Sequence, residues 1–253
     1  VSQTLKEMKG EIMEFDMRDK LNKIHLGDSL ELMKQLEDDS IDLVVTDPPY
    51  DMSNNGAGYS KLLQNRALKL AQSINHITDG FNIDEHLREW ERILKKFNAF
   101  IFCSNKQISE LMQWGESNDY STTLLVWHKT NATPFCNGVW QSNLEYIVHI
   151  REKGAVFQGG LKEKSKTFIN PAVISEFDHP TVKPLDLIKK YIKIGSNPTD
   201  IILDPFMGSG TTANAAIQLD RQFIGYEIEP KYHEIACERV ERAKGNFGLF
   251  EGL

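Results

Sequence analysis

Three cysteines in 253 residues (Cys103, Cys136 and Cys237) are too few and too widely spaced for a disulfide framework or a zinc knuckle. That usage suits a reducing cytoplasm. No apolar run approaches the length of a membrane span, and the first residues lack the charged-then-apolar order of a secretory signal, so a cytoplasmic protein without membrane contact is expected. The seven histidines include no close helical pair, and no metal site is expected. Repeats and low-complexity tracts are absent as well. So is an excess of positive charge: the formal net charge is -7, which leaves only local basic patches for contacts to phosphate. What remains is ordinary globular composition, 40% hydrophobic, in a length that fits one large α/β domain over residues 1–253.

The pattern along the chain alternates strand and helix. Residues 1–22 carry Leu5, Met8, Ile12 and Phe15 at helical spacing, and this amphipathic stretch is expected to dock on the protein's own core. Strands are predicted at 23–26, 41–46, 99–103, 123–128, 145–150, 201–203 and 222–227. Helices are predicted at 29–36, 83–95, 107–115, 184–194, 211–219 and 230–243. Residues 51–80, rich in Asn and Gly, read as a mobile loop. Residues 151–178 are poorly patterned and read as an insertion. Such alternation implies a mostly parallel sheet with helices on both faces.

Two turns interrupt this pattern at predicted strand ends, where open α/β sheets gather their ligands. After Ile201-Ile202-Leu203 comes Asp204-Pro205-Phe206-Met207-Gly208-Ser209-Gly210-Thr211-Thr212. Its glycines permit positive φ and carry no Cβ, so a ligand can lie against the backbone. Thr211 and Thr212 open a helix whose free N–H groups favour an anion. Glu227 ends the following strand 23 residues after Asp204 (227 minus 204), near the offset at which an acid meets a ribose. A phosphate-binding P-loop is excluded, because Thr211 stands where its lysine would be. A dinucleotide fingerprint fits the leading Asp204-Pro205-Phe206 poorly. The second turn is Asp47-Pro48-Pro49-Tyr50, directly after Ile41-Asp42-Leu43-Val44-Val45-Thr46. Its prolines stiffen the backbone, Asp47 supplies an acceptor, and Tyr50 offers an aromatic face.

The glycine loop resembles the S-adenosylmethionine motif of class I methyltransferases. With the Asp-Pro-Pro-Tyr turn added, the chain resembles the amino-methyltransferases of nucleic acid, in which Asp at the first position of that turn points to adenine N6 and Ser more often to cytosine N4. The catalytic turn precedes the cofactor loop by 157 residues (204 minus 47), which is similar to the circularly permuted β group. The resemblance implies a Rossmann-like class I methyltransferase fold with a seven-stranded, mostly parallel sheet. It implies methyl transfer from S-adenosylmethionine to the N6 amino group of an adenine flipped out of double-stranded DNA.

The same resemblance assigns site residues. Asp47, Pro48, Pro49 and Tyr50 would be catalytic. Asp47 and the Pro48 carbonyl would accept from the amino group, freeing a lone pair otherwise delocalised into the ring, while Tyr50 stacks on the base. The cofactor set would be Asp28 and Ser29 of Gly27-Asp28-Ser29, with Asp47, Lys183, Asp204, Pro205, Phe206, Gly208, Ser209, Gly210, Thr211, Thr212 and Glu227. Within His179-Pro180-Thr181-Val182-Lys183-Pro184, Lys183 would neutralise the methionine carboxylate. Trp127-His128-Lys129-Thr130-Asn131 resembles the segment beside the target base.

Nucleic acid would be met by Lys61 and Arg66 in the loop after Tyr50, by Lys129, and by Lys162, Lys164 and Lys166 in the insertion. That insertion is short for a sequence reader, so a homodimer is expected, with a cognate restriction endonuclease as a possible partner. Cytosine N4, RNA adenine, and a non-catalytic DNA-recognition subunit stay open as alternatives.

Overall fold

The computed structural model describes residues 17–49, 81–132, 140–173 and 182–248. The helix expected over 1–22 lies mostly outside this range, and only a short 3-10 turn, Met17–Asp19, is described. The loop expected at 51–80 lies outside it, as do Tyr50, Lys61, Arg66 and His179 to Thr181.

Eight strands form one sheet: β1 (Lys23–Leu26), β2 (Leu43–Thr46), β3 (Asn98–Cys103), β4 (Ser121–Lys129), β5 (Leu144–Arg151), β6 (Thr167–Asn170), β7 (Ile201–Asp204) and β8 (Gln222–Glu227). Their order is β1-β8-β7-β2-β3-β5-β4-β6. Only β5 runs against its neighbours; every other pairing is parallel. The seven predicted strands are all present. The eighth, β6, falls inside the expected insertion and pairs with β4 at the sheet edge.

The central strands β2 and β3 are buried along their whole length, as strands covered on both faces must be. Their side chains alternate between two cores. Leu43, Val45, Phe100 and Phe102 face one side, and Val44, Ala99, Ile101 and Cys103 face the other. The first core is closed by α4 (Leu185–Gly195), α5 (Thr211–Gln218) and α6 (Pro230–Gly248). The second is closed by α1 (Ser29–Met33), α2 (Ile83–Ile93) and α3 (Ile108–Ser117). In α2 the buried residues Ile83, His86, Leu87, Trp90 and Ile93 recur at helical spacing, and Asn82 caps the first turn by accepting from the Asp84 amide.

This is a doubly wound α/β sheet with helices on both faces. Its strand order reverses between β7 and β2, and a crevice at the carboxyl ends is expected there. No helix among the described residues is long and apolar enough to cross a membrane.

Candidate active site

The two turns singled out in the sequence leave adjacent strands, β7 and β2, at the carboxyl edge. A buried hydrogen bond joins them: the Thr46 hydroxyl donates to Asp204 Oδ1 at 2.8 Å. The Phe206 amide donates to the same oxygen at 3.1 Å, and Thr212 also bonds this carboxylate. Burial raises the Asp204 pKa to about 6 despite these donors. Asp204 was expected to meet the cofactor. Its donors instead make it the tie between the cofactor strand and the residue preceding Asp47.

The glycine loop divides its labour. Gly208 and Gly210 both hold positive φ, at 53° and 82°. A Cβ on Gly210 would lie 3.1 Å from the Ala236 Cα and 3.3 Å from its carbonyl oxygen. Gly210 therefore serves the close packing of α6 against the loop. Pro205, Ser209, Thr211 and Thr212 are buried as well. Arg239 of α6 donates to the Ser209 carbonyl, to Ser209 Oγ at 2.8 Å and to Thr211 Oγ1 at 3.5 Å. The parts left for a ligand are Phe206 and Gly208, both half-buried.

Beside them, Glu227 accepts from the Gly208 amide at 2.7 Å and from the Glu229 amide at 2.9 Å. Those two bonds fix the carboxylate at the end of β8, where its remaining lone pairs suit a vicinal diol. Leu26, the last residue of β1, is in register with Glu227, so Asp28 and Ser29 begin α1 at the same edge. Asp28 caps α1 through the Glu31 amide at 3.0 Å. Ser29 Oγ lies 3.0 Å from His86 Nε2, and His86 Nδ1 lies 2.9 Å from the Asn82 carbonyl. The Phe206 ring sits 5.1 Å from that of His86 and 5.5 Å from Phe81, an aromatic cluster suited to a flat heterocycle.

Asp47 stands at the other side of the switch point, half-buried, with Pro48 buried behind it. Lys183 donates to Asp47 Oδ2 and lies 3.4 Å from Glu145 Oε2. Glu145 in turn holds Lys129 at 3.2 Å. Asp47 Oδ1 is buried and has no hydrogen-bond partner among the described residues. Burial pushes the Asp47 carboxyl above the usual carboxylate range, with the Lys183 charge pulling the other way. Burial acts on Glu145 in the same sense, but Lys183 and Lys129 together hold it below that range. Lys183 is only 7% exposed and lies 5.1 Å over the Phe102 ring. The lysine expected at the methionine end of a cofactor is thus paired with Asp47.

This geometry brings Asp28, Ser29, Asp47, Asp204, Phe206, Gly208 and Glu227 to one edge of the sheet. It does not bring Lys162, Lys164 or Lys166 there. Arg151, which opens their segment, pairs with Asn98 and Ser121 at the amino ends of β3 and β4. Gln158 bonds carbonyls at Lys193, Ile194 and Ser196, at the carboxyl end of α4. Lys164 and Arg151 lie over the Phe157 ring at 4.6 and 4.7 Å. Lys129 is at the correct edge but is half-buried and paired with Glu145. Trp127 is core, its Nε1 donating to the Asn170 carbonyl of β6 at 3.0 Å.

Sequence reasoning missed His86, Glu145 and Arg239. The spacing of His86 on the buried face of α2 was visible. The partners of Glu145 and Arg239 are distant in the chain and left no local signal.

Residues 41–238 match the family model N6_N4_Mtase, described as DNA methylase, and this span runs from the strand of the catalytic turn into α6. The chain belongs to that family. It is 30% identical to the type II methyltransferase M2.MboI of Moraxella bovis, over 89% of both chains. Among solved structures, the M1.HpyAVI complex with S-adenosylmethionine matches with a TM-score of 0.65 and 27% identity, covering 86% of this chain and 98% of that one. The cytosine-N4-specific PvuII DNA methyltransferase matches with a TM-score of 0.64 at 17% identity, covering 88% and 89%, a likeness of fold alone.

Proposed function

We propose that the chain transfers a methyl group from S-adenosylmethionine to the N6 amino group of an adenine flipped out of double-stranded DNA. The observation that carries this reading is Asp47 Oδ1, a buried carboxylate oxygen without a partner among the described residues, beside a carboxylate oxygen that has one. An unsatisfied buried acceptor is costly, and an incoming amino N–H would satisfy it. The other side of the switch point fits the donor. Glu227 offers oriented acceptors for a ribose, and Phe206 with Phe81 and His86 offers aromatic surface for its adenine. S-adenosylmethionine supplies an electrophilic methyl group when bound.

The residues of the chain do the rest. Asp47 Oδ1 accepts the amino N–H and, with the Pro48 carbonyl as second acceptor, draws the nitrogen toward pyramidal geometry, which frees its lone pair. As the nitrogen–carbon bond would form, the sulfonium–methyl bond would break and leave a neutral thioether, and the N–H, now acidic, would give its proton to the same oxygen. Lys183 favours the ionised form of Asp47 and so counters part of the larger, opposite effect of burial. Tyr50, one residue beyond the stiffened turn, would stack on the extruded base.

The aspartate at the head of the turn favours adenine over cytosine. Likeness to a type II methyltransferase favours a place in a restriction–modification system, with a homodimer supplying recognition surface that one copy lacks. The test is nucleoside mass spectrometry after incubating the chain and S-adenosylmethionine with DNA and, separately, RNA. N6-methyladenine in DNA alone is the expected product. N4-methylcytosine, or modification of RNA alone, would overturn the assignment of the acceptor.

A further inference from the structure

Four charged side chains of alternating sign run inward from the sheet edge: Lys129 of β4, Glu145 of β5, Lys183 before α4, and Asp47 after β2. The links are Lys129–Glu145 at 3.2 Å, Glu145–Lys183 at 3.4 Å, and the close Lys183–Asp47 pair. The β4–β5 hairpin sets the first link, since Trp127 pairs with Glu145 across the antiparallel ladder. Lys183 thus reaches two carboxylates at once, one on the catalytic turn and one on β5.

We propose that Glu145 is a positioning residue for methyl transfer, seating Lys183 on one oxygen of Asp47 so that the other stays open to the substrate amino group. The proposal rests on the reading of Asp47 as the acceptor of that group. A lysine ammonium is a compact charge with three rotatable donors, and a lone carboxylate partner gives it no reason to choose one oxygen. A second anion on the far side fixes its approach. Glu145 Oε2 is buried, and its contact with Lys183 is an ion pair at 3.4 Å. Lys129 then holds Glu145 ionised and in place.

Among the described residues, four charged or titratable neighbours of Asp47 enter the balance. Lys183 favours the ionised carboxylate and Glu145 opposes it. On β7, Asp204 is coupled to Asp47 by like charge. On β3, Cys103 feels the same charge, and burial with it pushes the thiol up to about 12, so this group stays neutral. Among these, Glu145 can be altered without touching the turn or the cofactor loop.

The experiment compares Glu145→Gln and Glu145→Asp with the unaltered full chain in two readouts. The first is the Asp47 carboxyl titration, followed by carbon NMR with labelled aspartate and assigned through Asp47→Asn. In Glu145→Gln this titration should move to lower pH, by about one unit or a tenfold change in proton affinity, because the opposing anion is gone. Glu145→Asp should return it toward the starting value. The second readout is kinetic: Glu145→Gln should lower kcat about ten- to a hundredfold with the S-adenosylmethionine Kd changed less than about threefold, and Glu145→Asp should recover part of the loss. An Asp47 titration unmoved in Glu145→Gln would overturn the proposal whatever the kinetics. A moved titration in a chain that methylates nothing would leave Glu145 coupled to Asp47 and defeat the functional reading alone.

Discussion

Replacing Lys183 by methionine keeps most of the side chain's volume and removes its charge from a buried site. The lysine lies 3.4 Å from Glu145 and closer still to Asp47. At an effective dielectric of 20, the 3.4 Å contact alone is a gross attraction of about 5 kcal/mol, most of it offset by the cost of taking an ammonium out of water. The variant keeps that cost for the anions and loses the attraction. Glu145 still has Lys129 at 3.2 Å, so Asp47 is the group left uncompensated. Breaking a buried pair in this way costs about 3–5 kcal/mol while the remaining group is ionised.

The pH dependence follows from the direction of the Asp47 shift. Burial already raises its pKa in the folded state, and removal of Lys183 raises it further. A carboxyl that binds its proton more tightly when folded loses stability as pH rises from its unfolded pKa through its folded one. The deficit of Lys183→Met relative to the unaltered chain should therefore be smaller at pH 5 than at pH 8, and approach about 3–5 kcal/mol where Asp47 is ionised. Urea denaturation of both proteins at the two pH values measures it. An equal deficit at both, or none at either, would refute the buried pairing.

Two further outcomes follow from the cofactor strand. Gly210→Ala places a side chain at φ 82° with its Cβ 3.1 Å from Ala236, and should destabilise the fold by about 2–4 kcal/mol, strain included. An unchanged denaturation midpoint would show that α6 does not pack on this glycine. Asp204 binds its proton more tightly folded, with a pKa of about 6, so its contribution is favourable below about pH 4 and is lost as pH rises through 6, by about 3 kcal/mol. Asp204→Asn lacks this loss, and the stability difference between the two proteins should swing toward the asparagine variant between pH 4.5 and 7. A difference that stays flat would mean that Asp204 is not buried as described.

The sheet was legible in the sequence wherever burial wrote a long apolar run, as in Leu43 to Thr46 and Asn98 to Cys103. It was not legible at β6, where Thr167-Phe168-Ile169-Asn170 is short, pairs on one side only and follows a lysine-rich segment. Its β-branched and aromatic residues were the one available signal. The site divides in the same way. Asp47, Asp204 and Glu227 belong to turns that are local in sequence, so their convergence followed from the strand order. The link from Lys183 to Asp47 spans 136 positions, and that from Arg239 to Ser209 spans 30. Such contacts depend on which face each helix buries and leave no local pattern. The basic cluster of residues 162–166 was visible in the sequence, but its place was not: it leads into β6, which lies alongside β4 from Val126 onward.

The central claim is that Asp47 acts on the acceptor base while the loop after β7 and Glu227 hold the methyl donor. Its most direct measurement pairs single-turnover methylation of DNA by Asp47→Ala with the calorimetric affinity of the same protein for S-adenosylmethionine. The account predicts transfer abolished, with the Kd within about threefold of the unaltered chain. Transfer persisting in Asp47→Ala would contradict it.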